Sequence, residues 1–301
     1  MILLTGASGF IGRHLHRALI AKFGADNVLA LTSKPISGSN YLLHHNYQFE
    51  PDYFVKNNYA DRIKIIIHAG AYTPKNFSQA NDHLKSNQNI YSTEKLLSAD
   101  LPSLQKIVYL STLDIYGKTD IISESSPIEP ISLYGHSKLY SEKMIAAWAS
   151  AKNKEFQTLR VGHVYGPGEE HYQKIIPVIM KNLIDNQPIQ IWGSGEEVRA
   201  FIYIKDVVEA IINAVNLNED IGPVNLVSNN SISILDLVNK MIRISGHDVA
   251  IEYPAGYARG RNLVFDNSKL KRYFLQSETD LDEGLAEEWH YMNRSDGKYI
   301  F

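Results

Sequence analysis

Two residues invite a chemical reading first. Tyr134 and Lys138 lie four residues apart in Tyr134-Gly135-His136-Ser137-Lys138, a spacing that puts both side chains on one face of a helix. A free tyrosine titrates near pH ~10. To exchange a proton near neutrality it must fall by about 3 units, roughly 4 kcal/mol at about 1.36 kcal/mol per unit. A neighbouring ammonium is one source of that shift, and a positively charged cofactor ring is another. An amphipathic surface pair would show the same spacing. A second feature weighs against that plainer reading. In Gly6-Ala7-Ser8-Gly9-Phe10-Ile11-Gly12 the glycines recur at every third position. Gly6 permits a tight turn, Gly9 lets backbone approach a diphosphate, and Gly12 lets a helix pack close to a sheet. An anion then sits at the positive end of the helix, beside Ser8, Phe10 and Ile11.

These residues need elements to hold them. Ile2–Leu4 reads as a buried strand, and Phe10–Phe23 as an amphipathic helix. Strands follow at Val28–Leu31, Ile63–Ile67, Lys106–Leu110 and Gln157–Val161, with helices near Asn87–Ser98 and Gly135–Ala149. Residues 35–60 give no clear pattern. The alternation predicts an α/β fold, a Rossmann-like doubly wound parallel sheet. The strand ends, at Gly6, Thr32, Ala69, Thr112 and Gly162, then share the edge where such sheets bind ligands. After about Gly166 the pattern loosens. Helices are expected near Ile175–Asn186, Ile204–Asn216, Ser233–Ser245 and Leu281–Tyr291, with strands at Ile189–Trp192 and Val224–Val227. The expected division is a dinucleotide-binding domain over 1–165 and a smaller C-terminal substrate lobe over 166–301, with chain crossing between them.

Composition narrows the field. The 301 residues carry a formal net charge of −3, so no overall basic field draws the chain to nucleic acid. With no cysteine there are no disulfides, cysteine nucleophiles or thiolate metal sites. The eleven histidines show no HExxH-type spacing, so no metal site is expected. No apolar run is long enough for a membrane span, and the N-terminus lacks the pattern of a signal peptide. A cytoplasmic enzyme is expected.

The motifs together resemble the extended short-chain dehydrogenase/reductases, specifically the nucleotide-sugar epimerase/dehydratase group. TGASGFIG at 5–12 is similar to the group's cofactor turn, HAGA at 68–71 to its third-strand end, and Asn89 to its central-helix asparagine. STLDIYG at 111–117 is similar to the segment carrying the catalytic Ser/Thr, which falls on Thr112. YGHSK at 134–138 resembles the YxxxK motif. LRVGHVYGPG at 159–168, IWGSGEEVRAFIYIKDVVEA at 191–210 and the RxxxxDxSK pattern from Arg261 to Lys269 are similar to later segments of the group.

The resemblance implies that Thr112, Tyr134 and Lys138 are catalytic. It implies that Gly6, Ser8, Gly9, Phe10, Ile11, Gly12, Ala69, Gly70, Ala71 and Asn89 line the cofactor site. It also implies a homodimer, a nucleoside-diphosphate sugar as substrate, and contacts to that substrate from His163, Arg199 and Arg261. Arginine's planar fork suits phosphate oxygens, although each arginine could instead pair with Glu196, Glu197 or Asp266. Three departures matter. Leu113 and Asp114 stand where the 4,6-dehydratases carry Asp-Glu. Leu113 cannot protonate a leaving hydroxyl, so dehydration is disfavoured, while Asp114 is either an acid/base near the sugar or a surface carboxylate. His163 replaces the group's asparagine, and Ala200 its aspartate. The second strand ends Thr32-Ser33-Lys34, with no acid for a ribose 2′-hydroxyl, which suits NADP better than NAD. The leading expectation is therefore NADPH-dependent reduction of a 4-keto (6-deoxy) sugar at C4. The alternatives are a 4-epimerase with tightly bound NAD and a non-catalytic NAD(P)-binding regulator on the same fold.

Overall fold

In the computed structural model, which describes residues 1–170, 172–255 and 262–294, seven parallel strands form the central sheet. The first six are β1 (Ile2–Thr5), β2 (Val28–Thr32), β3 (Asn40–Leu43), β4 (Ile65–His68), β5 (Lys106–Thr112) and β6 (Glu155–Val161). The spatial order is Val224–Leu226, β6, β5, β4, β1, β2, β3. The chain thus builds outward from β1 to β3, then crosses back to lay β4 on the other side of β1. That reversal opens a crevice at the strand ends between β1 and β4, the place where doubly wound sheets take their ligands.

Alternation along the strands explains why the sheet is covered on both sides. Leu4, Ala30, Ile67 and Val108 enter one apolar core with Leu15 and Leu19 of the helix Phe10–Phe23 and Val207 and Ile211 of the helix Ile204–Asn216. Their immediate neighbours Leu3, Leu29, Ile66 and Ile107 enter the opposite core, with Leu96 of the helix His83–Leu97 and Ile145 of the helix Leu133–Lys152. Successive residues point to opposite faces, so strands buried on both must be apolar throughout. Each such side chain contributes roughly 1.5–3 kcal/mol on burial.

The expected strands are present, with shifted ends. β3 lay inside the unreadable stretch. As an edge strand it alternates between half-buried and exposed residues, and its apolar run, Tyr41–Leu43, is only three residues long. The helix near Asn87 starts earlier, at His83, because Asp82 caps it by accepting the Lys85 amide hydrogen at 3.1 Å. Beyond residue 165, Ile204–Asn216 and Val224–Leu226 join the Rossmann body. A separate three-stranded sheet forms from Ser231–Ser233, Val198–Tyr203 and His163–Tyr165. Val198–Tyr203 was not foreseen as a strand. No helix among the described residues is long and apolar enough to cross a membrane.

Candidate active site

The turn after β1 is built around close backbone contact. Gly6 has φ +71°, and a Cβ there would stand 2.6 Å from the Gly70 Cα. A Cβ on Gly12 would overlap the Gly6 carbonyl oxygen. Only glycine fits these two places. The Gly9 amide donates to the Gly6 carbonyl at 2.9 Å and opens the helix Phe10–Phe23. No side chain caps that helix, and its first turn holds no acid. Its N-terminal N–H groups therefore face the crevice uncontested, a ready cradle for a diphosphate. The residues present fit a dinucleotide.

Behind the turn, a directed chain of hydrogen bonds fixes β1 against β4. The Gly70 amide donates to Thr5 Oγ1 at 2.9 Å, and Thr5 Oγ1 lies 2.9 Å from His68 Nδ1. His68 Nε2 lies 3.2 Å from Thr93 Oγ1, which donates to the Asn89 carbonyl at 2.9 Å. The donor order leaves His68 neutral, protonated on Nε2. Burial, reinforced by the Lys138 charge, pushes its pKa down to about 3. Asn89 itself is turned to the protein. Its amide accepts from the Tyr72 N–H at 2.8 Å and donates to the Tyr72 carbonyl at 3.3 Å and to Ser137 Oγ at 3.1 Å. It braces the loop after β4 against the helix that carries Tyr134.

That helix starts at Leu133, capped by Ser132, whose hydroxyl accepts from the Gly135 N–H at 3.0 Å. Tyr134 thus falls in the first turn, beside the end of β5. The hydroxyls of Thr112 and Thr73 line the cleft with it, and each favours its ionised form. Thr112 Oγ1 also accepts from the Asp114 amide at 3.2 Å, which shapes the short turn Leu113–Ile115. Lys138, one turn further and 2% exposed, donates to the Leu110 carbonyl at 2.6 Å and lies 4.3 Å from the centre of the Tyr109 ring. The structure therefore brings Thr112, Tyr134 and Lys138 to one wall. It adds Thr73, which no motif marked because it sits in a loop.

The electrostatics differ from the expectation of a depressed tyrosine. In the protein alone, burial first and the Asp114 carboxylate second push Tyr134 above its ordinary value. Lys138 is itself pulled down to about 7, chiefly by burial, with Glu142 opposing. Its ammonium is spent on a carbonyl and a π face, so it does not offset the tyrosine's burial.

The cleft in front of this wall has a volume of about 1090 Å³. Gly9, Phe10, Ile11, Asp114, His163 and Arg199 line it together with that wall. His163 lines the cleft and is exposed to solvent. Arg199 donates to the Val198 carbonyl at 2.9 Å. Arg261 lies outside the described residues. Leu113 is buried with Ile115, Tyr116 and Phe265, so no acid occupies its position. A second cavity of about 320 Å³ lies beyond the glycine turn, lined by Ser8, Ser33, Gly70, Ala71 and Asn89 among others. Ala69 lines both. Thr32 and Lys34 are not among the described lining residues of either space. Thr32 is buried, and its hydroxyl donates to the Lys34 carbonyl at 3.0 Å, closing the strand end on itself. Lys34 is exposed.

The two sides of the cleft are tied by residues the motifs did not mark. Arg13 donates to the Gly168 carbonyl and His14 to the Pro167 carbonyl, each at 2.8 Å. Nearby, Glu169 pairs with Lys174 at 3.2 Å. Glu169 is 1% exposed and lies beside Glu288, equally buried, on the helix Leu281–Met292. Burial, then the charge of Glu169, raises the Glu288 pKa well above the carboxylate range. The folded chain thus keeps a proton that the unfolded chain releases at about pH 4.5, so this group lowers stability as pH rises from there towards the folded-state pKa. Glu288→Gln is expected to remove that slope. Thermal melts from pH 5 to 8 should show the wild type losing ground to the variant, with about 2–4 °C for each kcal/mol. Parallel curves would show that Glu288 is ionised at neutrality.

Comparison with known proteins agrees with this geometry. A model of the NAD dependent epimerase/dehydratase family matches residues 2–226. A Bacillus subtilis (strain 168) protein named as an uncharacterized UDP-glucose epimerase is 29% identical, over 97% of this chain and 98% of its own length. An Arabidopsis thaliana trifunctional UDP-glucose 4,6-dehydratase/UDP-4-keto-6-deoxy-D-glucose 3,5-epimerase/UDP-4-keto-L-rhamnose-reductase is 27% identical over 97% of this chain, which spans 47% of that protein's length. Among solved structures, TunA, an NAD dependent NDP-hexosamine 5,6-dehydratase involved in tunicamycin biosynthesis, aligns with a TM-score of 0.82 at 27% identity, over 98% of both chains. MoeE5, solved with UDP-glucose and NAD, shares the fold with a TM-score of 0.84 at 24% identity, over 98% of this chain and 99% of its own. By its matching residues, its sheet order and its glycine turn, this chain belongs to the NAD dependent epimerase/dehydratase family.

Proposed function

We propose that this chain is an NAD(P)-dependent oxidoreductase of a nucleotide-linked sugar, reducing a 4-keto (6-deoxy) sugar at C4. The observation that carries the reading is that Thr112, Tyr134 and Lys138 line the same cleft as an uncapped, acid-free helix N-terminus. Gly6, Gly9 and Gly12 with the first turn after Gly9 hold the diphosphate of the dinucleotide, and Ser8, Ser33 and residues 69–71 flank its adenosine half. Bound there, the dinucleotide supplies or accepts a hydride at the sugar carbon. Tyr134 moves the proton at the sugar oxygen, Thr112 hydrogen-bonds the same oxygen, and Lys138 holds the nicotinamide ribose. Burial keeps the phenol protonated at rest, which suits a group that donates to a carbonyl being reduced. Asn89 is assigned a bracing role.

Residues outside the Rossmann body beyond 165 form the substrate lobe in this reading. Arg199 faces the sugar's diphosphate. A hydrogen bond to a charged group is worth roughly 1.5–3 kcal/mol, so Arg199→Ala is expected to weaken binding of a nucleoside diphosphate by about tenfold while dinucleotide affinity stays nearly unchanged. Calorimetry with the nucleoside diphosphate reads this directly, and equal affinities would move the linker elsewhere. Exposed Leu84 and Tyr91 on one helix and Tyr140 on its neighbour support a homodimer through that face.

NADPH is the proposed reductant. No carboxylate is among the described residues lining the second cavity, and Lys34 stands two residues past the end of β2. The second reading is a 4-epimerase that retains NAD, favoured by the name of the Bacillus relative and the NAD in related structures. Intact Thr112, Tyr134 and Lys138 speak against a regulator without catalysis. The test has two steps. The purified protein is analysed for bound dinucleotide, then assayed for NADPH oxidation with a panel of nucleotide 4-keto sugars. Stoichiometric retained NAD with exchange of C4 epimers, and no NADPH oxidation, would replace the reductase by the epimerase.

A further inference from the structure

We propose that Glu142, clamped by Arg160, is a positioning residue for the Tyr134–Lys138 pair and supplies the buried counter-charge that holds Lys138 as an ammonium against Leu110. The inference rests on the reading of Lys138 as the dinucleotide's ribose contact.

The geometry is specific. Glu142 lies four residues beyond Lys138 on the helix Leu133–Lys152, hence on the same face. The two side chains are enclosed, the residues being 6% and 2% exposed. Arg160 holds both carboxylate oxygens in a two-pronged grip, Nε to Oε1 at 3.2 Å and Nη2 to Oε2 at 3.0 Å. Its remaining prong donates to the Tyr116 hydroxyl at 2.6 Å, and Tyr116 donates in turn to Asn225 Oδ1 at 2.7 Å. Arg160 sits on β6 directly across from Ser111, the residue after Leu110, whose carbonyl receives the Lys138 ammonium. The clamp and the seat of Lys138 are thus on adjacent strands at one level.

An ammonium out of water needs opposite charge nearby, or it sheds its proton. The groups facing Lys138 supply little else. From β5 come the Leu110 carbonyl and the Tyr109 ring, and from β4 comes neutral His68. From its own helix come Tyr134, kept neutral by burial, and Glu142. Glu142 is the carboxylate that opposes the effect of burial on Lys138. The tight grip by Arg160 fixes where that negative charge lies, with its far side neutralised.

The test is the pH dependence of NADPH and NADH binding to the full chain, read by fluorescence, which needs no substrate. Wild-type affinity is expected to fall on the alkaline side as Lys138 loses its proton, and Lys138→Met should abolish that limb. Glu142→Gln should move the limb about one pH unit lower, within the range of about 1–3 units for a nearby opposite charge. Glu142→Asp should restore it. Because Glu142→Gln strands a buried guanidinium, the paired variant E142M/R160M is measured as well. Replacing a whole buried pair by apolar side chains commonly keeps the fold, and the limb should again move down. A folded E142M/R160M with its limb at the wild-type pH would overturn the proposal. So would loss of folding in that variant alongside a normal Glu142→Asp, which would make the pair structural. Absence of dinucleotide binding by the wild type would overturn the functional reading itself, so the two failures are distinct.

Discussion

Tyr134→Phe is expected to lower turnover by on the order of 10²-fold or more, the usual scale for losing a general acid/base, with dinucleotide affinity nearly unchanged. The variant removes one oxygen from a 6% exposed side chain, and its neighbours Thr112 and Thr73 remain. Thr112 keeps its bond to the Asp114 amide, so the turn Leu113–Ile115 should survive. Steady-state kinetics beside a fluorescence titration separates the two quantities. Lys138→Ala should damage both, since its amine is a binding contact as well as a charge. Near-normal turnover in Tyr134→Phe would mean that a different group moves the proton, and Asp114, whose charge already reaches Tyr134, is the first to examine.

A second large effect is expected from one methyl group. Gly12→Ala places a Cβ against the Gly6 carbonyl oxygen and 2.7 Å from its carbon. These are backbone atoms of the turn itself, so no rotamer change relieves the overlap. The helix must move away from β1, carrying the N–H groups of its first turn with it. We expect dinucleotide affinity to fall by about a hundredfold, about 2.8 kcal/mol at about 1.4 per decade, and stability to fall by about 1–3 kcal/mol through overpacking. Equilibrium binding and denaturant melts on the same preparation check both. Wild-type affinity in this variant would show that the turn tolerates a wider helix approach than its packing indicates.

What could be read without coordinates followed physical rules of unequal strength. The buried strands were legible because both faces of the sheet are covered, so their residues are uniformly apolar. The glycine turn was legible because its constraints fall on backbone positions that few side chains fit. β3 was not, because an edge strand needs only one buried face and a few residues. Val198–Tyr203 hid because its strand runs directly into the helix at Ile204, and an apolar run shared by both has no period of its own. Within the site, Tyr134 and Lys138 announced themselves by spacing. Thr73 gave no signal, since a loop residue acquires its neighbours only when the chain folds. Thr32 and Asn89 show the converse. Their side chains are polar and well placed along the chain, yet their hydrogen bonds are consumed by the protein. Composition reveals that a donor exists and not where it is spent.

The outermost strand on the β6 side, Val224–Leu226, comes from the second half of the chain and follows a helix that packs on the first. This has a consequence for recombining the enzyme with its relatives. A crossover at residue 165 would replace that strand, and the helix Ile204–Asn216 that covers the apolar flank of the helix Phe10–Phe23, with the relative's own. For the substrate lobe proposed above, the exchange is better made as two inserts, 166–203 and 227 onward, around a retained 204–226. A chimera cut in that way keeps every hydrogen-bonded strand pair of the host sheet. A simple C-terminal graft must instead re-form one of them with a foreign sequence.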